Sequence, residues 1–326
     1  MKITFVYENL SSFVKTDLDI LNKYYEVNDI QWNDSKSCKD KITKSITDSD
    51  LTFSWFASNH AYYTVKESKR LNKKSIVIVG GWEVAYFPHF NYGKFINNKD
   101  EVYTTYTLKH ADKVLVVDKS LKQQAQFLMR DRCNNFESVP TGYDYSKFKN
   151  LGLNRNYTAI TVAGIKRTNL DRKGLINFVN SAKELPNDKF IIVGKWIDDS
   201  INDLKSISPN NVIFTGEVSD NKLVELYNKT KIYYQVSIHE GLPNALCESM
   251  LCGCIPIGSY QNGIPRAIGD TGLYADYEDI NEIVNAIKRG KASSNNQRQR
   301  VRNRIKHKFP LENREKQLID IINGLC

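Results

Sequence analysis

Ser237-Ile238-His239-Glu240-Gly241-Leu242-Pro243-Asn244-Ala245-Leu246-Cys247-Glu248-Ser249-Met250-Leu251-Cys252-Gly253-Cys254-Ile255-Pro256-Ile257-Gly258-Ser259 carries two apolar runs, residues 232–236 just before it and 254–258 at its end. Each run has the length and composition of a buried strand, so the stretch reads as strand, loop, helix, strand. Pro243 suits the first turn of the helix, whose start is expected near Leu242. Glu240 then falls on the loop and Glu248 more than one turn into the helix, so the two carboxylates can bracket a ligand over the helix N-terminus. Free backbone N–H groups and a partial positive charge there suit a phosphate. A carboxylate accepts two hydrogen bonds from a vicinal diol, the pattern that a ribose or hexose offers. Phosphate plus two diols describes a nucleotide sugar.

The same residues resemble the signature of the family 4 retaining glycosyltransferases, which have the two-domain GT-B fold. The resemblance rests on Glu-x7-Glu set in a Gly-Leu-Pro and Cys-Gly-Cys-Ile-Pro frame. It implies that Glu240 touches the transferred sugar and that Glu248 holds the nucleotide ribose. Further donor contacts are expected from His239, Gly241, Leu242, Pro243 and Asn244.

Outward from this motif, 326 residues suggest two domains with ample core. Strand-like runs at residues 2–7, 26–32, 50–56, 75–81, 113–118 and 136–140 alternate with helical patterns, clearest at 18–25 and 121–130, with Ser120 as N-cap of the latter. Further strands are expected at 157–164, 190–195 and 211–216. This alternation predicts an α/β protein with parallel sheets whose ligands sit at the carboxyl ends of the strands. With the resemblance, the fold class is GT-B, two Rossmann-like domains facing across a cleft: an acceptor domain at 1–150, a donor domain at 151–308, and a C-terminal helix at 309–326 packing back on the first.

After the first strand, where the family usually carries a Gly-rich loop, Glu8-Asn9-Leu10-Ser11-Ser12 has no glycine, and Gly-x-Gly-x-x-Gly is missing throughout, which weighs against a nucleotide reductase. After the fourth strand comes Gly80-Gly81-Trp82-Glu83, where the family commonly has His-Gly-x-Asp. Gly80 stands in the place of that His and Glu83 in that of the Asp. The acceptor candidates are therefore Gly80, Gly81, Trp82, Glu83, Ser11 and Ser12, with His60 as a spatial substitute for the missing His. An aromatic segment at 86–95 reads equally as an acceptor loop or as a loop packed by its rings.

In the second half, Arg167 and Lys173, the latter followed by Gly174, match a family pair that holds the donor diphosphate; Arg172 and Lys166 offer the same charge nearby. Gly216 resembles the family's loop at the nucleotide base. Gln261-Asn262-Gly263-Ile264-Pro265-Arg266 resembles a second glycine turn at the donor, with Arg266 where an acid is commoner. The catalytic set is thus Glu240, Arg167 and Lys173, with no protein nucleophile, no metal and no cofactor beyond the nucleotide-sugar substrate.

The net charge of +9 permits an anionic partner. The basic segment at 288–308 spreads its charges around a helix, which reads as a solvated surface, with peripheral membrane contact as the other possibility. No run is long enough to span a bilayer, and residues 1–7 enter a strand with no signal-peptide pattern, so cytoplasmic residence is expected. Six scattered cysteines read as packed thiols. The expected partners are a nucleotide-sugar donor and a sugar, glycan or lipid acceptor; nucleic acid lacks a recognised module. A nucleotide-sugar-binding protein without turnover and a sugar-nucleotide epimerase on the same fold are the alternatives.

Overall fold

The structure, a computed structural model, describes residues 1–325; Cys326 lies outside the described residues. The chain divides into two units, residues 1–142 with the segment from Leu311 onward, and Tyr143–Pro310.

Unit 1 holds strands β1 (Lys2–Tyr7), β2 (Glu26–Gln31), β3 (Leu51–Trp55), β4 (Lys74–Val79), β5 (Lys113–Val116) and β6 (Phe136–Ser138). Unit 2 holds β7 (Tyr157–Val162), β8 (Phe190–Val193), β9 (Val212–Gly216), β10 (Thr230–Gln235), β11 (Ile255–Gly258) and β12 (Leu273–Tyr274). Every described strand pairing is parallel. The central strands are near-continuous buried runs, such as LTFSW in β3, because helices cover both faces of a parallel sheet, whereas the edge strand β2 is mostly exposed or half-buried.

The sheet of unit 1 has the order β2-β1-β3-β4-β5-β6 and that of unit 2 the order β12-β11-β10-β7-β8-β9. In each, the chain reverses its direction of travel once across the sheet, at β1/β3 in unit 1 and at β7/β10 in unit 2. Diverging crossovers leave a crevice at the carboxyl ends of such a strand pair, which is where open α/β sheets bind ligands.

The helix Leu311–Leu325 belongs to unit 1 and is anchored by a buried ion pair. Arg314, 2% exposed, donates from Nε to Asp17 Oδ1 (2.9 Å) and from Nη2 to Asp17 Oδ2 (2.6 Å). Trp55 Nε1 donates to the same Oδ2 at 2.8 Å, so a β3 side chain completes the arrangement. With most donors and acceptors satisfied, this pair can offset its desolvation.

Local chemistry moves several expected boundaries. The first helix spans Ser12–Tyr24, not 18–25, because its amphipathic face begins at Val14. Asp118, not Ser120, caps the helix Lys119–Met129: its carboxylate accepts from the Ser120 backbone N–H. Pro243 is likewise the extended residue before the helix Asn244–Leu251, not part of it. The short edge strand β12 was not foreseen; two residues leave no periodicity to read.

Candidate functional site in unit 2

The loops after β7 and β10 meet at the switch point. Gly174, at φ +64°, permits this, since a Cβ there would stand 2.3 Å from the Val236 carbonyl oxygen. The Ile238 N–H donates to the Arg172 carbonyl at 2.8 Å, tying the two loops together.

Three side chains converge on Glu240, which is 13% exposed. Lys173 Nζ donates to its Oε1 at 2.9 Å, Gln235 Nε2 donates to the same oxygen at 3.2 Å, and Arg172 Nη1 stands 3.8 Å away. Arg172 is held in turn: Nη1 donates to the His239 carbonyl (3.0 Å) and Nη2 to Asn169 Oδ1 (2.8 Å). Burial works to raise the Glu240 carboxyl, but Lys173 and Arg172 outweigh it and hold the group below its usual range. Burial pushes the Lys173 ammonium down, against the opposing pull of Glu240. His239, buried behind them, is pushed down to about 4 by desolvation and stays neutral near pH 7.

The helix Asn244–Leu251 starts beside this cluster. Its entry is fixed by close backbone packing, because a Cβ on Gly263 would lie 2.0 Å from the Gly241 carbonyl oxygen. Asn244 Oδ1 accepts from the Tyr143 hydroxyl at 2.9 Å, and Leu242 is buried. At the other end, three guanidiniums meet the free carbonyls. Arg302 donates to Leu251 O, Arg155 to Cys252 O at 2.7 Å, and Arg298 to Gly253 O at 3.1 Å. Cations at a helix C-terminus satisfy orphan acceptors and oppose the dipole. This corrects the expectation of a solvated basic helix at 288–308: Arg298 and Arg302 turn inward, and Arg304 donates to the Ala267 and Arg266 carbonyls. Cys247, Cys252 and Cys254 on this helix and the turn after it are buried free thiols, with Cys247 pushed up to about 12 by burial.

Glu248, one turn into the helix, differs from Glu240. Its side chain is partly exposed and makes no hydrogen bond or ion pair with another described residue, and burial pushes its carboxyl up to about 7. A carboxylate in this state is available to a ligand.

Arg167 is not with this cluster. It is 66% exposed, its guanidinium pairs with Asp203, and its backbone N–H donates to Asp198 at 3.0 Å. The helix Arg167–Arg172 sets Arg167 and Arg172 at its opposite ends, and of the two it is Arg172 that stands beside Glu240. Gly216 closes β9 at φ +70°, with open space where a Cβ would stand, and its carbonyl accepts from the Gly194 N–H. Arg266 lies 5.8 Å from the Phe309 ring centre.

In unit 1, the structure turns two acceptor candidates inward. Glu83 is fully buried; its carboxylate accepts from the backbone N–H groups of Gly80 (3.0 Å), Gly81 (2.9 Å) and Ala57 (3.4 Å), and so braces the loop instead of facing a ligand. His60 is also fully buried, with Nε2 2.7 Å from the Trp55 carbonyl oxygen. Gly80 faces a ring: its Cβ would lie 2.6 Å from Phe56 Cε1. Trp82 remains 39% exposed, Ser12 is exposed, and Ser11 Oγ is buried without a partner. The aromatic segment at 86–95 is partly packed, with the Phe87 and Tyr92 rings 6.3 Å apart, while Tyr86 is exposed.

Residues 158–290 match the family described as Glycosyl transferases group 1. This segment belongs to that family. The chain is 34% identical over 77 residues to the serotype-specific mannosyltransferase WbdA of Escherichia coli, covering 24% of this chain and 9% of that protein. It is 32% identical over 109 residues to the alpha-galactosylglucosyldiacylglycerol synthase of Streptococcus pneumoniae, covering 31% of this chain and 28% of that one. The matched stretches thus span less than a third of either relative. Over 99% of the chain, the fold is that of Anabaena Alr3699/HepE, whose crystal structure contains UDP and glucose (TM-score 0.82, 14% identity, 100% of that chain). Sucrose-phosphate synthase of Thermosynechococcus elongatus is also similar (TM-score 0.77, 16% identity, 100% of this chain and 99% of that one). The group 1 segment therefore sits within a GT-B fold of two Rossmann-like units. Among the described residues, no helix is long and apolar enough to cross a membrane.

Sequence reasoning missed Gln235, which closes β10 and looked like core; its Nε2 donates to Ser237 Oγ at 2.8 Å as well as to Glu240, both within five residues of it in the chain.

Proposed function

We propose that the protein is a retaining, metal-independent glycosyltransferase that moves a sugar from a nucleotide-sugar donor to a sugar, glycan or lipid acceptor. One observation carries this reading: the unit 2 switch point sets an ammonium and a guanidinium around Glu240, beside a helix start, with Glu248, which no described residue pairs, one turn further on. The group 1 family match over the same residues supports it.

In this reading, the donor diphosphate lies over the start of the helix Asn244–Leu251, where free N–H groups favour an anion. Lys173 and Arg172 stabilise the charge that builds on the leaving diphosphate. Glu240, already ionised by these cations, accepts hydrogen bonds from the hydroxyls of the transferred sugar. Glu248 accepts from the ribose diol. The leaving phosphate oxygen takes the proton of the incoming hydroxyl, and attack from the same face retains the anomeric configuration.

The test is product analysis. The purified protein is incubated with UDP-glucose, UDP-galactose, ADP-glucose and GDP-mannose and with sugar and glycolipid acceptors, and the products are followed by NMR. Release of nucleoside diphosphate matched by a glycoside of unchanged anomeric configuration is expected. An inverted product would overturn the retaining assignment, and binding without any turnover would favour a protein that holds nucleotide sugars without transferring them.

A further inference from the structure

Side chains along β10 alternate between two rows. Ile232, Tyr234 and Val236 lie in the apolar core of unit 2. The other row, Tyr233 and Gln235 with Ser237 just beyond the strand, is polar and equally buried, Gln235 being 5% exposed. Polar groups buried in a central strand are costly unless they are hydrogen-bonded, and these bond to one another. The Tyr233 hydroxyl donates to Gln235 Oε1 at 3.2 Å, and Gln235 Nε2 donates to Ser237 Oγ at 2.8 Å.

The row ends on Glu240, and its partners fix the direction of the amide. A carboxylate can only accept, so Gln235 turns Nε2 to Glu240 Oε1 (3.2 Å) and its own oxygen to the Tyr233 hydroxyl. Burial keeps the Tyr233 phenol neutral, so it retains the proton that it donates. The amide is thus held at its oxygen by Tyr233 and at its nitrogen by Ser237 and Glu240.

Gln235 supplies something that the cations at Glu240 do not. Lys173 is a point charge on a flexible stem, and Arg172 at 3.8 Å is beyond hydrogen-bond reach, so both act through charge more than through direction. These cations, with no contribution from Gln235, hold Glu240 ionised. All three groups meet the same oxygen, Oε1, and among the described residues none hydrogen-bonds Oε2. One oxygen of the carboxylate is claimed by the protein and the other is left for a ligand. The fixed, neutral amide is what sets the plane in which they lie.

We propose that Gln235 is a positioning residue for sugar transfer: by pinning Glu240 Oε1 to the polar row of β10, it aims Oε2 at a hydroxyl of the transferred sugar. This rests on the glycosyltransferase reading of unit 2 and adds that Glu240 holds the sugar through one oxygen only.

The experiment is calorimetry on the wild type, Gln235→Leu, Gln235→Glu, Glu240→Gln and the double variant Gln235→Leu with Glu240→Gln. The ligands are UDP, ADP and GDP, and UDP-glucose, UDP-galactose, ADP-glucose and GDP-mannose. Each protein is read as the ratio of conjugate to nucleotide affinity, which removes effects on the ribose and diphosphate that both ligands carry. Gln235→Leu leaves the cations in place, and its ratio should be about tenfold lower than that of the wild type, with nucleotide affinity unchanged. Gln235→Glu sets a second carboxylate against Oε1, and two such groups share one proton. Its ratio should therefore be near that of the wild type at pH 5.5 and fall about tenfold by pH 8, while the wild-type ratio stays flat. In Glu240→Gln, adding Gln235→Leu should have no further effect.

An unchanged ratio in Gln235→Leu, where the wild type binds a conjugate, would overturn the assignment and leave the reading of unit 2 intact. So would a Gln235→Glu ratio that does not move with pH, or a loss that adds to that of Glu240→Gln. Nucleotide affinity lost in step with conjugate affinity would also overturn it, because Gln235 would then support the fold of the loop and not the sugar contact. Wild-type binding of a nucleotide but of none of the conjugates would leave the sugar no hold at Glu240 and overturn it as well. If the wild type binds neither nucleotide nor conjugate, the reading of unit 2 fails, and this inference with it.

Discussion

Lys173 Nζ donates to Glu240 Oε1 at 2.9 Å, across the junction of the two switch-point loops in unit 2. The pair joins the central motif to the basic loop, a link that spacing alone did not give. It also sets the order of events at the site: in the unliganded protein the ammonium neutralises Glu240, and a diphosphate arriving nearby must share it.

Lys173→Ala is expected to reduce turnover by about 100-fold or more, because a fixed cation acts most strongly where charge develops. Donor affinity should fall less, since the bound donor is already charged. Steady-state kinetics beside calorimetry separate the two. Equal losses would mean that Lys173 binds ground and transition states alike.

Glu248 makes donor affinity pH-dependent. Its carboxyl titrates at about 7 in the folded protein, above the ordinary 4.5, because burial disfavours the charge. The protonated form therefore favours folding, fully so below the unfolded value, and that contribution is lost as pH rises through about 7. Ribose binding needs the ionised acceptor, so donor affinity should rise between pH 6 and pH 8, while stability without ligand falls. Glu248→Gln should flatten both trends and be the more stable protein at pH 8, by on the order of 1 kcal/mol once partial solvent screening is allowed for. Thermal melts and titrations across this range test it.

Arg167 pairs with Asp203 in the unliganded protein. If that exposed pair only restrains it, Asp203→Asn should strengthen nucleoside diphosphate binding, by no more than about 1 kcal/mol. Arg167→Ala in the same background should abolish the gain. Unchanged affinity in Asp203→Asn would remove Arg167 from the donor site.

Arg314→Ala leaves Asp17 buried without its partner and should cost about 3–5 kcal/mol of stability, read from denaturant unfolding. Trp55 Nε1 alone remains to bond the carboxylate. A loss under about 1 kcal/mol would mean that water enters and replaces the guanidinium.

The α/β class and the strand positions were legible because parallel strands covered on both faces must be apolar throughout, and helices between them must be amphipathic. The placement of Glu240 on a loop and of Glu248 in the following helix was legible because each stands at a fixed offset from a strand end. The pairing of Arg167 with Asp203 was not legible, because that acid lies on a helix 36 positions further along the chain. Glu83 and His60 looked like site residues because they are polar and follow strands. What decides their role is whether backbone N–H groups or a ligand claims their polar atoms, and that depends on how the loops after β3 and β4 fold together. The inward arginines at 298, 302 and 304 were hidden for the same reason, since the carbonyls they satisfy belong to residues up to 157 positions away in sequence.

The most direct test of the donor site is calorimetric titration of UDP, GDP and ADP and their common sugar conjugates into the wild type and Glu248→Ala. The account predicts that one nucleotide and its conjugate bind the wild type and that the variant loses about 1.5–3 kcal/mol of that affinity, as expected for a charge-assisted hydrogen bond to ribose. Binding of equal strength in both proteins would take Glu248 out of the site, and no binding by any nucleotide to the wild type would contradict the donor site itself.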